Sequence, residues 1–206
     1  MQTIYIARHG QTEYNASGRL QGHNDSPLTP KGVKQAKELG LKVKDIKFDK
    51  VVSSDLGRAF ITTYLALNEG KHENTIQTDS RLRELNYGIY NGSFVPGLKE
   101  LNNTDHKDHI AISNSFKEFA HYLDNKNVRY EGGESFDDLI SRLTTFWKDE
   151  TLKNSTKLFV AHSGSVRGLL KIAGINKYQI KEERMPNAFL AKITIEDGNL
   201  TDFQEL

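Results

Sequence analysis

Two short apolar runs constrain this chain more than any other feature, because each delivers a histidine where a strand should end. Near the amino terminus Thr3-Ile4-Tyr5-Ile6-Ala7 leads into Arg8-His9-Gly10-Gln11-Thr12, and far downstream Lys157-Leu158-Phe159-Val160 leads into Ala161-His162-Ser163-Gly164. Between and around them strand-like runs alternate with helix-like periods, the pattern of an α/β domain on a mostly parallel sheet. Open sheets of that kind bind ligands beyond the carboxyl ends of their strands. Both histidines are therefore expected at the ligand-binding edge.

The helices carry their own signals. Thr29-Pro30 offers a cap followed by proline in the first turn, with Val33, Ala36, Leu39 and Val43 near helical spacing. Lys50 to Ser54 reads as a strand, Asp55 as the next cap, and Leu56, Ala59, Phe60, Thr63 and Leu67 as a buried helical face with Arg58 in the first turn. Ser135, with Asp138 three residues on, opens a helix whose apolar stripe is Phe136, Leu139, Ile140, Leu143 and Phe146. Phe189 to Ile195, Asp197-Gly198 and Leu200 to Phe203 spell a closing hairpin. Residues 94–133 differ: Pro96-Gly97, Asn102-Asn103 and Gly132-Gly133 surround one helical pattern at Phe116, Phe119, Ala120 and Leu123. That stretch is expected to be a helical lid inserted over the sheet's active edge. With no repeat or linker, residues 1–206 read as a single domain.

Composition narrows the chemistry. Cysteine is absent, which removes disulfides, thiolate metal sites and a thiolate nucleophile together. The formal net charge is +1, so neither nucleic acid nor an anionic membrane is an expected partner. No apolar run approaches the roughly 20 residues of a membrane helix, and no signal segment precedes the first strand. A cytoplasmic protein is expected.

The residues at the strand ends suit phosphoryl transfer. A neutral imidazole can accept a phosphoryl group on nitrogen and split one hard displacement into two easier ones, with His9 as the nucleophile. Charge on the transferred oxygens calls for fixed donors. Arg8 and Arg58 give paired, directional hydrogen bonds, a protonated His162 would add another, and Asn15 is a neutral donor nearby. The leaving oxygen needs a proton, and Glu84 in Arg83-Glu84-Leu85 is the best-placed carboxyl group. A carboxyl acid working near neutrality keeps its proton through burial or a neighbouring phosphate's charge. No step requires a metal.

Taken singly, each residue has an ordinary explanation. Arg58 could be a surface arginine on an amphipathic helix, and Glu84 an exposed partner of Arg81 and Arg83. His162 could be a hydrogen-bonded core histidine and Asn15 a turn residue. What these explanations share no account of is that all four positions, like Arg8-His9-Gly10, follow strands or lie in adjoining turns. His106 and His109 have a spacing that could bind a metal, but without a third ligand they read as part of a solvated loop.

The chain resembles the histidine phosphatase superfamily, the phosphoglycerate mutase-like proteins. The resemblance runs through Arg8-His9-Gly10-Gln11-Thr12-Glu13, Asn15, Gly18-Arg19-Leu20-Gln21-Gly22, Asp25-Ser26-Pro27-Leu28-Thr29, Gly32, Gln35-Ala36, Ser53-Ser54-Asp55, Arg58, Arg83-Glu84, Tyr87-Gly88, Gly92, Gly133-Glu134-Ser135, His162 and Asn187-Ala188. It implies a three-layer α/β/α sandwich in which Arg8, His9, Arg58 and His162 form the phosphate pocket. It also implies that His9 is phosphorylated, Glu84 donates the proton and Asn15 helps to hold the phosphate, with Gln21, Gly22 and Ser163 beside it on the substrate side. Two departures stand out: Ser163 occupies the first of two positions that are often glycine, and Tyr90-Asn91-Gly92 replaces a common tryptophan-glutamate-glycine.

One phosphohistidine serves a phosphatase if water receives the phosphoryl group and a mutase if a substrate hydroxyl does. The family's glycolytic mutases resemble longer chains whose insertion carries a paired arginine. Residues 94–133 hold only scattered Lys99, Lys107, Lys117, Lys126 and Arg129. The expectation is a metal-independent, cofactor-free phosphatase whose partner is a small phosphorylated metabolite. The alternatives are a cofactor-dependent phosphoglycerate mutase and a phosphate-binding protein without turnover.

Overall fold

The computed structural model describes residues 1–94, 129–151, 154–175 and 185–206. Most of the expected lid, its helix and the His106/His109 pair lie outside the described residues.

Strands β1 (Gln2–Arg8), β2 (Lys50–Ser53), β3 (Ile76–Thr78), β4 (Thr156–Ala161), β5 (Leu190–Glu196) and β6 (Asn199–Glu205) form one sheet in the order β3-β2-β4-β1-β5-β6. The first four run parallel, and β5 and β6 are antiparallel additions at the β1 edge. Side-chain alternation divides the central strands between two cores. Tyr5, Ala7, Val51, Leu158 and Val160 face one side, where they meet Leu39 and Val43 of α2 (Pro30–Val43) and Ala66 and Leu67 of α3 (Gly57–Glu69). Ile4, Ile6, Val52, Phe159 and Ala161 face the other, against Leu139, Leu143 and Phe146 of the helix over Phe136–Glu150 and Val166 and Leu169 of the helix over Ser163–Ile172. With the short α1 (Glu13–Ser17) these two helices are α4 and α5, and the architecture is the expected three-layer sandwich.

Two caps form as the sequence predicts. Thr29 Oγ1 accepts the Gly32 N–H at 3.0 Å with Pro30 behind it, and Ser135 and Asp138 make a reciprocal box at the start of α4. Asp55 does not cap α3. Its carboxylate is held by Arg83 through bonds of 2.8 and 2.5 Å, a charge-assisted fork stronger than a cap, and Leu56 stands at the helix start without a side-chain bond. The expected face of α3 is also rotated. Arg58, Thr62 and Ala66 point inward with Ala59, Thr63 and Leu67, leaving Phe60 39% exposed. Turning Arg58 into the protein sets that rotation, which an apolar-period argument cannot foresee.

The loop after β1 is pressed against both helices on its side. Gly10 N donates to Thr62 Oγ1 at 3.0 Å, and Thr29 N donates to Gln11 O at 2.9 Å. The approach leaves no room for a side chain: a Cβ at Gly32 would lie 2.0 Å from Gln11 O, and one at Gly10 would lie 2.5 Å from Gly32 O. Both neighbours are backbone and cannot swing aside. Gly32→Ala is therefore expected to destabilise the protein by about 2 kcal/mol or more in urea unfolding, as overpacking against fixed atoms does. An unchanged midpoint would contradict this contact.

Candidate active site

Parallel pairing of β1 with β4 sets Arg8 opposite Ala161, and His9 N continues the ladder onto Ala161 O at 3.0 Å. The next side chains, His9 and His162, consequently emerge together at the carboxyl edge with ring centroids 5.1 Å apart. Both are buried. His9 Nδ1 lies 2.7 Å from Gly10 O, and because a carbonyl only accepts, Nδ1 must carry the hydrogen. The lone pair is left on Nε2. Burial, and then the charges of Arg58 and Arg8, hold the His9 pKa well below its ordinary value, so the ring is neutral.

His162 is fixed in the complementary way. Arg58 Nε donates to its Nδ1 at 3.1 Å, which leaves the hydrogen on Nε2, 2.8 Å from Ser54 Oγ. Its pKa is also well below the ordinary value through burial and then Arg58. The ring is thus neutral, with Nε2–H as its donor, whereas the sequence-based reading has it add a donor once protonated beside a phosphate.

Arg58 is fully buried on α3. It donates to Gly22 O at 2.8 Å, Asn24 O at 2.7 Å, Asp25 Oδ1 at 3.0 Å and His162 Nδ1 at 3.1 Å, which engages four of its five N–H groups. The expected pair of phosphate bonds therefore has one Nη2–H to draw on unless the loop through Asn24 gives way. Arg8 is buried at the end of β1 and donates through Nη1 to Met185 O at 2.5 Å. Asn15, in α1, accepts at Oδ1 from Thr12 N, Thr12 Oγ1 and Asn187 Nδ2 at 3.1 to 3.2 Å, which orients the amide so that Nδ2 is the outward donor. Asn187 also reaches His9 O, and Ala188 N bonds the same oxygen at 3.1 Å from a left-handed backbone at φ +57. A non-glycine residue there is strained and is held in place by its surroundings.

The other expected substrate contacts lie on the same rim. Gln21 Oε1 accepts from Ser26 Oγ at 3.1 Å, and the Gly22 carbonyl is on Arg58. Ser163 is the first residue of α5, beside His162.

Glu84 is buried and pairs with neither neighbouring arginine. Arg81 is taken by Asp79 and Asp149, and Arg83 by Asp55. The Glu84 carboxylate instead accepts Leu85 N at 2.9 Å and Gly164 N at 3.0 and 3.1 Å, at the amino end of α5, where the helix favours negative charge. A Cβ at Gly164 would lie 2.3 Å from Glu84 Oε1. Of the two positions after His162, the second is thus the one that must lack a side chain, and Ser163 is accommodated at the first.

Sequence reasoning assigned no role to Ser54, Asp25, Thr62 or Asn187. Three of these fall inside the motifs quoted for the resemblance, which was the available signal. Thr62 carried no such signal. Among the described residues no group of His, Asp and Glu could hold a metal ion, and no helix is long and apolar enough to cross a membrane.

Both histidines resist protonation in the folded state, whereas the unfolded chain takes up those protons near the ordinary value. Stability present above about pH 6.5 is therefore lost as the pH falls below it. Melting temperature is expected to drop between pH 7.5 and 5.5, with nitrogen-15 NMR showing His9 still neutral at pH 6. A His9 ring that titrates at or above its ordinary value would contradict this electrostatic account.

Comparison with known proteins agrees with this geometry. The histidine phosphatase superfamily (branch 1) matches residues 4–202. A broad-specificity phosphatase of Saccharomyces cerevisiae is 33% identical over 202 residues, covering 94% of this chain and 78% of its own. A Shigella dysenteriae protein named "probable phosphoglycerate mutase" is 29% identical over 203 residues, covering 96% and 87%. The crystal structure of a Bacillus anthracis phosphoglycerate mutase superposes with a TM-score of 0.75 at 24% identity, covering 100% of this chain and 92% of that one, a likeness of fold. With its two histidines and two arginines gathered at one sheet edge and the family's pattern running almost end to end, the chain belongs to the histidine phosphatase superfamily, branch 1.

Proposed function

We propose that the protein is a phosphatase that hydrolyses small phosphomonoesters through a phosphohistidine at His9, without a metal. The observation that carries this reading is the His9 Nδ1–Gly10 O bond, which leaves a neutral Nε2 lone pair beside a buried cluster of donors. In the first step Nε2 attacks phosphorus, the bond to the ester oxygen breaks, and the Glu84 carboxyl proton passes to that oxygen to release the alcohol. In the second step a water attacks the phosphohistidine and gives its proton to the Glu84 carboxylate. The P–N bond breaks, inorganic phosphate leaves and His9 is regenerated.

Arg8, the remaining Arg58 Nη2–H and Asn15 Nδ2 are the donors for the phosphoryl oxygens, and the His162 Nε2–H joins them by turning from Ser54 Oγ. Because the donors are already placed by protein bonds, they need little reorganisation when charge spreads over the transferred group. Gln21, Gly22 and Ser163 border the ester's organic portion. Hydrolysis is preferred over mutase chemistry because residues 94–133 lack the paired arginine that would grip a second anionic group. The S. cerevisiae relative, the more similar of the two curated relatives described above, carries a phosphatase name.

Turnover of p-nitrophenyl phosphate with a chelator present, run beside 3-phosphoglycerate, tests the reading. Free phosphate without 2-phosphoglycerate is expected, and primer-dependent isomerisation would make the protein a mutase. His9→Ala should lower kcat by at least about a thousandfold, as loss of a covalent nucleophile does. Hydrolysis that survives this change would remove His9 from the mechanism.

A further inference from the structure

Glu84 sits on a segment with no strand ladder to hold it. The chain passes through one turn of 3-10 helix at Ser80–Leu82 and then an irregular stretch, so its carbonyls must find partners elsewhere. They find Arg142, in the middle of α4. Nη1 donates to Arg81 O at 2.6 Å and Arg83 O at 2.7 Å, and Nη2 donates to Glu84 O at 2.8 Å. The remaining donors form a fork on Glu134, with Nε to Oε1 at 2.8 Å and Nη2 to Oε2 at 2.9 Å. All five N–H groups are committed.

Glu134 extends the clamp to the other side of Glu84. Its Oε2 accepts Asn86 N at 3.0 Å, and its own N–H donates to Asn86 O at 2.8 Å. Two further bonds close the frame: Ser165 Oγ to Arg83 O at 2.6 Å, and His23 Nε2 to Glu84 O at 2.9 Å. The main chain from Arg81 to Asn86 is thus bracketed by side chains, while among the described residues the Glu84 carboxylate itself bonds only the N–H groups of Leu85 and Gly164.

We propose that Arg142, seated on Glu134, is a positioning residue that holds Glu84 at the distance and angle required to protonate the leaving oxygen. The inference rests on Glu84 being the acid of the proposed reaction. Proton transfer needs hydrogen-bond reach to the ester oxygen, and small displacements of an acid are costly in rate. A guanidinium spans three carbonyls and a carboxylate in one plane. A lysine ammonium concentrates its donors at one point and cannot do so.

The test is the rate of phosphoenzyme formation over a series of phosphate esters with leaving groups of increasing basicity, followed by rapid quench. An acid matters most for poor leaving groups, so its loss steepens the dependence on leaving-group pKa. Glu84→Gln should steepen it. Arg142→Lys should steepen it in the same sense, slowing an alkyl ester about 10- to 100-fold relative to a dinitrophenyl ester, within the usual range of general acid catalysis. Glu134→Gln should shift it in the same direction, and it supplies the comparison if thermal melts show that Arg142→Lys does not fold. A loss equal for every ester, or no loss, would make the clamp merely structural and overturn the proposal. An unchanged dependence in Glu84→Gln would be a different failure, removing Glu84 as the acid and the clamp's role with it.

Discussion

The parallel ladder between β1 and β4 is the constraint on which the rest of the site depends. It joins the two ends of the sequence and, by setting Arg8 against Ala161, brings His9 and His162 to the same level of the carboxyl edge. A slip of one residue would exchange the faces of β1, sending Ile4 and Ile6 toward α2 and α3 and separating the imidazoles. Because β1 is apolar on both faces and each face already has a filled core, the register is strongly specified. The geometry of the site thus inherits its precision from packing.

The second determinant is a buried cation. A guanidinium taken out of water must be fully bonded or the fold loses several kcal/mol. Arg58 meets all but one Nη2–H of this requirement with two loop carbonyls, the Asp25 carboxylate and the Nδ1 lone pair of His162. The same solution rotates α3, fixes the His162 tautomer and, with Arg8, keeps His9 unprotonated. The His162 tautomer and the helix orientation therefore follow from the placement of one side chain, which also adds to the burial that keeps His9 neutral. Glu84 is handled differently, by the N–H groups of Leu85 and of Gly164 at a helix N-terminus on its carboxylate and by Arg142 and Glu134 around its backbone.

Much of this was legible in the sequence wherever a local rule governs. The two histidine-terminated strands, the Thr29 and Ser135 caps and the Asp197-Gly198 turn each follow from side-chain chemistry within a few residues. The failures share a cause. Asp55 looked like a cap, but its partner Arg83 is remote in sequence, and Phe60 fitted an apolar period that Arg58 overrode. The tautomer of His162 could not be foreseen because it is set by Arg58, remote in sequence. Likewise, the need for glycine at position 164 arises from a carboxylate eighty residues away. Long-range polar contacts leave no periodicity to read.

The central claim is that Nε2 of His9 is the atom that takes the phosphoryl group. It is tested most directly by quenching the enzyme with an aryl phosphate into alkali, where phosphohistidine survives, and locating the phosphorus by peptide mass spectrometry and proton–phosphorus NMR. The account predicts a single modified residue, His9, with the phosphoryl group on Nε2 because Nδ1 is committed to Gly10 O. Phosphorus on Nδ1, on His162, or on no histidine during active turnover would contradict it.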